Sequence, residues 1–419
     1  MELKMPGTAH GSVKPETTAS NKKGSITVFI CITLPVLIAM TLALIYAGRE
    51  MSAVSRADSI MNLAGYSLLS EYDSYVQDEY GLFLVNVSDE LLTRKLKSYV
   101  GFSTASMEDM NLNSCRVSSR GYAVVEPAMI ENQIMEFMKH PSAVSAAITD
   151  KREKNTMTEH TLRHGPTKVS LPSRELPDSN FIDKVSSFGN SISSGDNLLK
   201  EGTDEYLMGS YILTIFNSET TLRNSEHFFR NEVEYIMSGK YSDEENLKAA
   251  GRAIRALRTG PNLAHIYSDP TKLASVTAAA EAVTPGPLGT LTALGIATAW
   301  AAVESANDFN LLKSGHRVPL VKDNLSWATD LDGVISGVLS EDSTEAIVPQ
   351  KESGLRYDEY MRILLTIKDD NLVTARILDL VQINMRKSHD NDFLIGDCAA
   401  GLSIKATIND RDFSYDKKY

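Results

Sequence analysis

The sequence predicts an α+β, helix-dominated protein, with a long N-terminal transmembrane and stalk helix followed by a mixed ectodomain. Three observations carry this. An uncharged apolar run lies near the start, helical periodicity recurs through most of the remaining chain, and a few short alternating segments are scattered between.

The apolar run extends from Gly24 to Gly48 without a charge. As a helix it rises about 37 Å, enough to cross a hydrocarbon core of about 30 Å with some tilt. Only a helix satisfies its own backbone hydrogen bonds in lipid, and Pro35 is tolerated there. The run is longer than a secretory signal and ends Ile45-Tyr46-Ala47-Gly48-Arg49, with bulky side chains where a cleavage site needs small ones. Retention as an anchor is therefore expected. Lys22 and Lys23 abut its N-terminal end, whereas residues 49–79 hold two arginines against six acids. The basic flank favours a cytoplasmic N-terminus and an exported C-terminal domain. Residues 1–21 read as a short disordered cytoplasmic tail and 22–48 as the span.

A second uncharged stretch, 283–303, contains prolines, glycines and threonines and few strongly apolar residues. It suits a buried, Ala-rich core helix better than a membrane span.

Beyond the membrane, Met61, Ala64, Leu68, Tyr72 and Tyr75 keep three- and four-residue steps, so one helix is expected from about 25 to 78. Leu82 to Val85 suits a buried strand. Ser88 caps a helix over 89–100. Val117 to Val125 reads as strand, and Pro127 opens a helix to Lys139. Residues 49–139 thus form the stalk and first ectodomain part. From 140 to 204 the pattern dissolves into a linker or long loop with at most one short helix. The second part, 205–419, opens with the apolar stretch from Tyr206 to Phe216. Asn231 to Met237 alternates as a half-buried strand would. Helices are expected over 244–258, 271–283 and 288–312, then a late pair beginning at Tyr357 and containing Val373, Ile377 and Val381. Residues 400–408 alternate as an edge strand.

A formal net charge of -12 offers no general basic footprint, so nucleic acid is not an expected partner. Three cysteines are too few for a disulfide scaffold. Cys31 falls inside the apolar run as a small hydrophobe. Cys115 and Cys398 form a disulfide if the fold brings them together, and otherwise remain free thiols.

No arrangement points to catalysis, a cofactor, a metal or a small-molecule ligand. His160 and His164 have a helical i,i+4 spacing but lack the glutamate of a zincin. Glu232 and Glu234 share one face of the expected strand, which is more often its wet face than a catalytic pair. Glu304 and Asp308, one helical turn apart, read as a polar helix face. GxSxG, GxxxxGK[ST] and GxGxxG are all absent. The expected protein is not an enzyme.

The entry Lys22-Lys23-Gly24-Ser25, the Leu34-Pro35 pair and the exit Tyr46-Ala47-Gly48-Arg49 resemble the start of TadE/TadG-like proteins. Those are pilin-like components of the tight-adherence (Flp) pilus machinery. Phe29 stands where pilin-like members carry a glutamate, which argues against cleavage after Gly24 and against polymerisation. The ectodomain is similar to an uncharacterised family of Gram-positive, mostly clostridial, membrane proteins. Ser70-Glu71-Tyr72-Asp73, Glu79-Tyr80-Gly81-Leu82-Phe83, Asn231 to Ile236, Gly239-Lys240 and Trp300-Ala301 carry that likeness. The resemblances imply an accessory of a Flp-type pilus or envelope assembly, with the lipid bilayer and other single-pass or pilin-like proteins as partners. Small residues such as Gly24, Ser25, Ala39, Ala43 and Ala47 suit packing beside other membrane helices. A membrane-anchored extracellular enzyme, or a sensor or adhesion protein unrelated to pili, is the alternative.

Overall fold

Helix α1 (Lys23–Leu69) runs through the apolar segment and about six further turns. It belongs to a computed structural model that describes residues 23–105, 107, 110–140, 170–178, 180–192 and 203–419, without the side chains of 23–25. The expected tail 1–21, Lys22, His160, His164 and most of the 140–204 loop lie outside those residues.

Among the described residues the fold is helix-dominated, with one small sheet. α1 stops at Leu69 rather than continuing to 78, because Asp73 starts a separate helix. Its carboxylate accepts from the Tyr75 and Val76 amides, opening α2 (Ser74–Tyr80). Gly81 closes α2 at φ 67°, and a Cβ there would strike the Phe137 ring at 2.4 Å. Leu82, Leu84 and Val85 are buried, but this segment is extended chain holding a single bridge, Val85 to Ala399, rather than a strand.

Ser88 caps α3 (Asp89–Thr104) through the Leu91 amide. β1 (Leu112–Ser118) lies earlier in the chain than expected, since the 119–125 segment turns away through Gly121 at φ 88°. α4 (Pro127–Met138) opens on its proline as expected. α5 (Phe181–Ile192) is a helix among the described residues of the 140–204 stretch.

Next come α6 (Asp204–Ile215), α7 (Glu232–Ser238), α8 (Asp243–Ser268), α9 (Pro270–Val283), α10 (Gly289–Lys313), α11 (Leu331–Ile335), α12 (Tyr357–Ile367) and α13 (Asp370–Ser388). α8 outruns the expected end at Arg258 by passing through Gly260 and Pro261. Proline removes the hydrogen bond to the Leu257 carbonyl. Gly189 of α5 packs against that same carbonyl, so closely that a Cβ on it would lie 2.4 Å from the oxygen. The segment expected as a half-buried strand is the helix α7, and every residue from Glu232 to Met237 is buried. Alternation over so few residues does not separate a strand from a short helix enclosed on all sides. The Ala-rich helix α10 is only partly a core helix: Leu288, Leu291 and Leu294 are exposed, and burial begins in earnest at Ala297 and Trp300.

β2 (Gly401–Ile408) is the central strand, not an edge. β1 and β3 (Arg411–Lys418) flank it antiparallel, in the order β1-β2-β3. β3 lacks strong hydrophobic alternation. It pairs because Asn409 and Asp410 take φ 48° and 60°, the left-handed pair that closes a two-residue hairpin.

The principal core joins Val76, Tyr80 and Ile134 to Tyr211, Phe216, Ile254 and Val381, so residues from 49–139 and 205–419 share it. A second core holds Met61, Ala64 and Leu68 of α1 against Leu92 and Leu96 of α3 and Ile404 of β2. A third sits at the base of the α9–α10 hairpin around Trp300 and Trp327.

Candidate functional site

The residues expected to form the anchor lie in one of two unlike halves of α1. From Ile26 to Arg49 no residue is buried against the protein: Phe29 is 66% exposed, and nothing lies within 4 Å of a Cβ placed on Gly48. Pro35 sits inside the helix, and Arg49 is exposed at the end of the run. Gly24 and Ser25 belong to the first helical turn, but their side chains lie outside the described residues. Thr33 and Thr41 donate to the Phe29 and Ile38 carbonyls, satisfying their hydroxyls within the helix.

The second half is built into the domain. Arg411 Nη2 pairs with Glu50 at 2.9 Å, and the Tyr415 hydroxyl donates to Asp58 at 2.6 Å. Lys417 Nζ donates to Asn62 at 2.5 Å, and Tyr419 donates to the Leu69 carbonyl. β3 therefore runs along α1 in the same direction. Four strand residues cover about 13 Å and eight helix residues about 12 Å, so the matches stay in step.

Away from α1 lies a buried polar hub centred on α7. His227 Nδ1 and Nε2 each lie 2.8 Å from a carboxylate, those of Glu232 and Glu79. Burial opposes charge on the ring, but the two carboxylates outweigh it and raise the pKa to about 9. Glu232 also accepts from the Asn217 amide and from Asn384 of α13, while Asn224 donates to Glu79. Two residues along, Glu234 accepts from the Glu219 amide and the Tyr357 hydroxyl, and burial raises its pKa to about 7. The Tyr235 hydroxyl donates to Asp379, whose carboxyl burial pushes up to about 6. Arg376 caps the C-terminal end of α7 by donating to the Ile236 and Met237 carbonyls.

Neither Glu232 nor Glu234 lies on a wet face, as the sequence suggested; both are fully buried. Glu304 and Asp308 are likewise not a polar surface. They are buried with Lys322, which pairs with both, and with Arg258, whose Nε donates to Asp308 at 3.0 Å. These two cations hold the Asp308 carboxyl below its ordinary range despite burial. Glu304 also accepts from the Ala328 and Thr329 amides and the Thr329 hydroxyl.

A histidine between two carboxylates is a proton-holding arrangement, and elsewhere such groups relay protons. Here all three are enclosed: the His227 ring is 2% exposed. A cleft of about 720 Å³ lies elsewhere, between Gly81, Phe83, Gln133, Phe137 and Tyr419. Among the described residues no group of three or more His, Cys, Asp or Glu is placed to hold a metal ion.

Cys115 and Cys398 do not form the possible disulfide; both are free, as is Cys31. Register explains it. Cys115 faces Ala406, and Cys398 precedes the strand start at Gly401. The ladder from Gly401 to Ala406 alone spans about 17 Å, far beyond disulfide reach.

Motif and spacing do not single out His227, Lys322, Arg258 or Asp379. A legible signal exists for one of them: Asp379, Gln382 and Asn384 interrupt the apolar helix from Ile377 to Met385, and polar residues so placed need buried partners.

Residues 144–410 match a family of unknown function (DUF5702), well over half of the chain. No curated protein and no solved structure matches.

Proposed function

The chain belongs to the DUF5702 family of unknown function, and from that premise we propose that it is a non-enzymatic, single-pass membrane protein with a cytoplasmic N-terminus. Its exported domain would act as an accessory of a Flp-type pilus or related envelope assembly. One observation carries the anchor: α1 leaves every residue from Ile26 to Arg49 unburied, then continues unbroken into a folded seam. An apolar helix of that length exposed to water is costly, and lipid removes the cost. The dilysine at 22–23 supports the orientation.

The non-enzymatic reading draws support from how the buried ionisable groups are used. His227, Glu234, Asp379, Asp308 and Lys322 each join segments apart in sequence, and all five are buried. The assembly role rests on the TadE/TadG-like entry and exit around α1. It is tested by affinity purification of the full chain and of a chain lacking residues 1–48 from cells carrying the pilus machinery. Capture of pilus components by the first and not the second supports the role. Equal capture by both, or by neither, removes it.

A further inference from the structure

The register of β3 along α1 fixes which end of the ectodomain meets lipid. Glu50 lies two residues beyond Gly48, about 3 Å along the helix axis, and Arg411 is paired to it. The β2–β3 turn precedes Arg411, so it lies on the membrane side of that ion pair. Polar headgroups occupy about 5–7 Å on each side of the hydrocarbon core. The turn falls within that depth.

Its chemistry suits the layer. Asn409 and Asp410 are exposed, as are Asn111 and Asn113 at the near end of β1. They are bonded into one unit: the Asn409 amide donates to the Asn111 carbonyl, the Asn111 amide to Asn409 Oδ1 at 2.9 Å, and Asn113 Nδ2 to Asp410 at 3.0 Å. The opposite end of the sheet is different. There Tyr419 stacks on Phe83, with ring centroids 5.4 Å apart, at the level of Leu69. That level is about 30 Å further from the membrane along α1.

Resting on the reading of α1 as a span, we propose that the Asn111–Asn113 and Asn409–Asp410 unit lies in the headgroup layer of the outer leaflet. The ectodomain then has two attachments, the helix and this polar turn, and stands at one fixed orientation rather than swinging from a flexible tether. The recognised chemistry is the zwitterionic lipid surface, through amide donors and acceptors.

The test uses the full chain in phosphatidylcholine vesicles containing a lipid with a nitroxide on its headgroup. Cys31→Ala and Cys115→Ala clear the accessible native thiols. A fluorophore is then attached at Asn113→Cys, at Asp412→Cys as a second position at the same end, or at Lys418→Cys at the far end. Quenching at 113 and 412 should exceed that at 418 by about twofold or more, given the difference in depth. Equal quenching at all three, in protein that floats with the vesicles, overturns the inference while leaving the span intact. Protein that fails to float with the vesicles overturns the span and this inference with it.

Discussion

His227 Nε2 lies 2.8 Å from Glu79 Oε1, joining the loop before α7 to the end of α2 across 148 residues of sequence. The other ring nitrogen is held by Glu232. Removing the ring leaves two buried carboxylates facing each other, and stranding one partner of a buried ion pair costs about 3–5 kcal/mol. His227→Ala should therefore lower the urea midpoint of the full chain in detergent by a corresponding amount. A variant as stable as wild type would show that the contact contributes nothing.

The carboxyl of Glu234 gives the fold a pH dependence of definite sign. Its pKa stands at about 7 in the folded chain, against an ordinary value of 4.5. A raised acid stabilises the fold fully below its unfolded pKa, and that contribution is lost as pH rises through the folded value. Glu234→Gln cannot ionise. Relative to wild type, it should gain about 2–3 kcal/mol of stability between pH 5 and pH 8. Urea titrations of both proteins at the two pH values measure the difference directly, since groups common to both cancel.

Lys322 is buried between Glu304 and Asp308, with Arg258 on the far side of Asp308. Lys322→Met removes the cation and leaves Glu304 without its counter-charge, at a cost of about 3–5 kcal/mol. Adding Glu304→Gln should restore part of that loss, because the amide oxygen can still accept from Thr329. Thermal melts of the two single variants and the double variant form the cycle. Strictly additive losses would count against coupling between the two.

The two halves of α1 predict opposite results from truncation. A chain starting after residue 48 should leave the membrane fraction and keep its melting transition, since no residue from Ile26 to Arg49 is buried. A chain starting after residue 70 loses Met61, Ala64 and Leu68 from the core shared with β2 and α3. Each such side chain contributes roughly 1–3 kcal/mol, so this shorter chain should lose the sheet. Protease digestion of the β2–β3 hairpin in the two truncated chains reads the contrast.

Ala64 lies in the core that α1 shares with α3 and β2 and is 3% exposed. Ala64→Leu inserts volume into a closed seam, and overpacking of this kind costs about 1–3 kcal/mol. Cleavage near Lys417 should accelerate while the α7 hub stays protected in hydrogen exchange.

Much of the helical framework was legible, because its signals are local. The apolar run before Arg49, the Ser88 cap, the proline opening α4 and the spacing of Ile363, Leu364 and Ile367 all act within a few residues of themselves. Boundaries failed where a distant contact decided them. α8 passes Pro261 because α5 packs onto the carbonyl that proline leaves free. β3 is a strand because β2 lies beside it, not through any strong hydrophobic alternation of its own.

The sequence by itself determined a long apolar helix at the start and a helical domain behind it, since hydropathy and period are properties of the chain alone. Only the tertiary structure decided that Glu232, Glu234, Glu304 and Asp308 are interior rather than wet. A carboxylate can be buried only where donors meet it, and here those donors come from His227, Tyr357 and Lys322, brought in by folding. It also decided that α1 is not a free stalk, because the partners holding Glu50, Asp58 and Asn62 lie in the last strand of the chain.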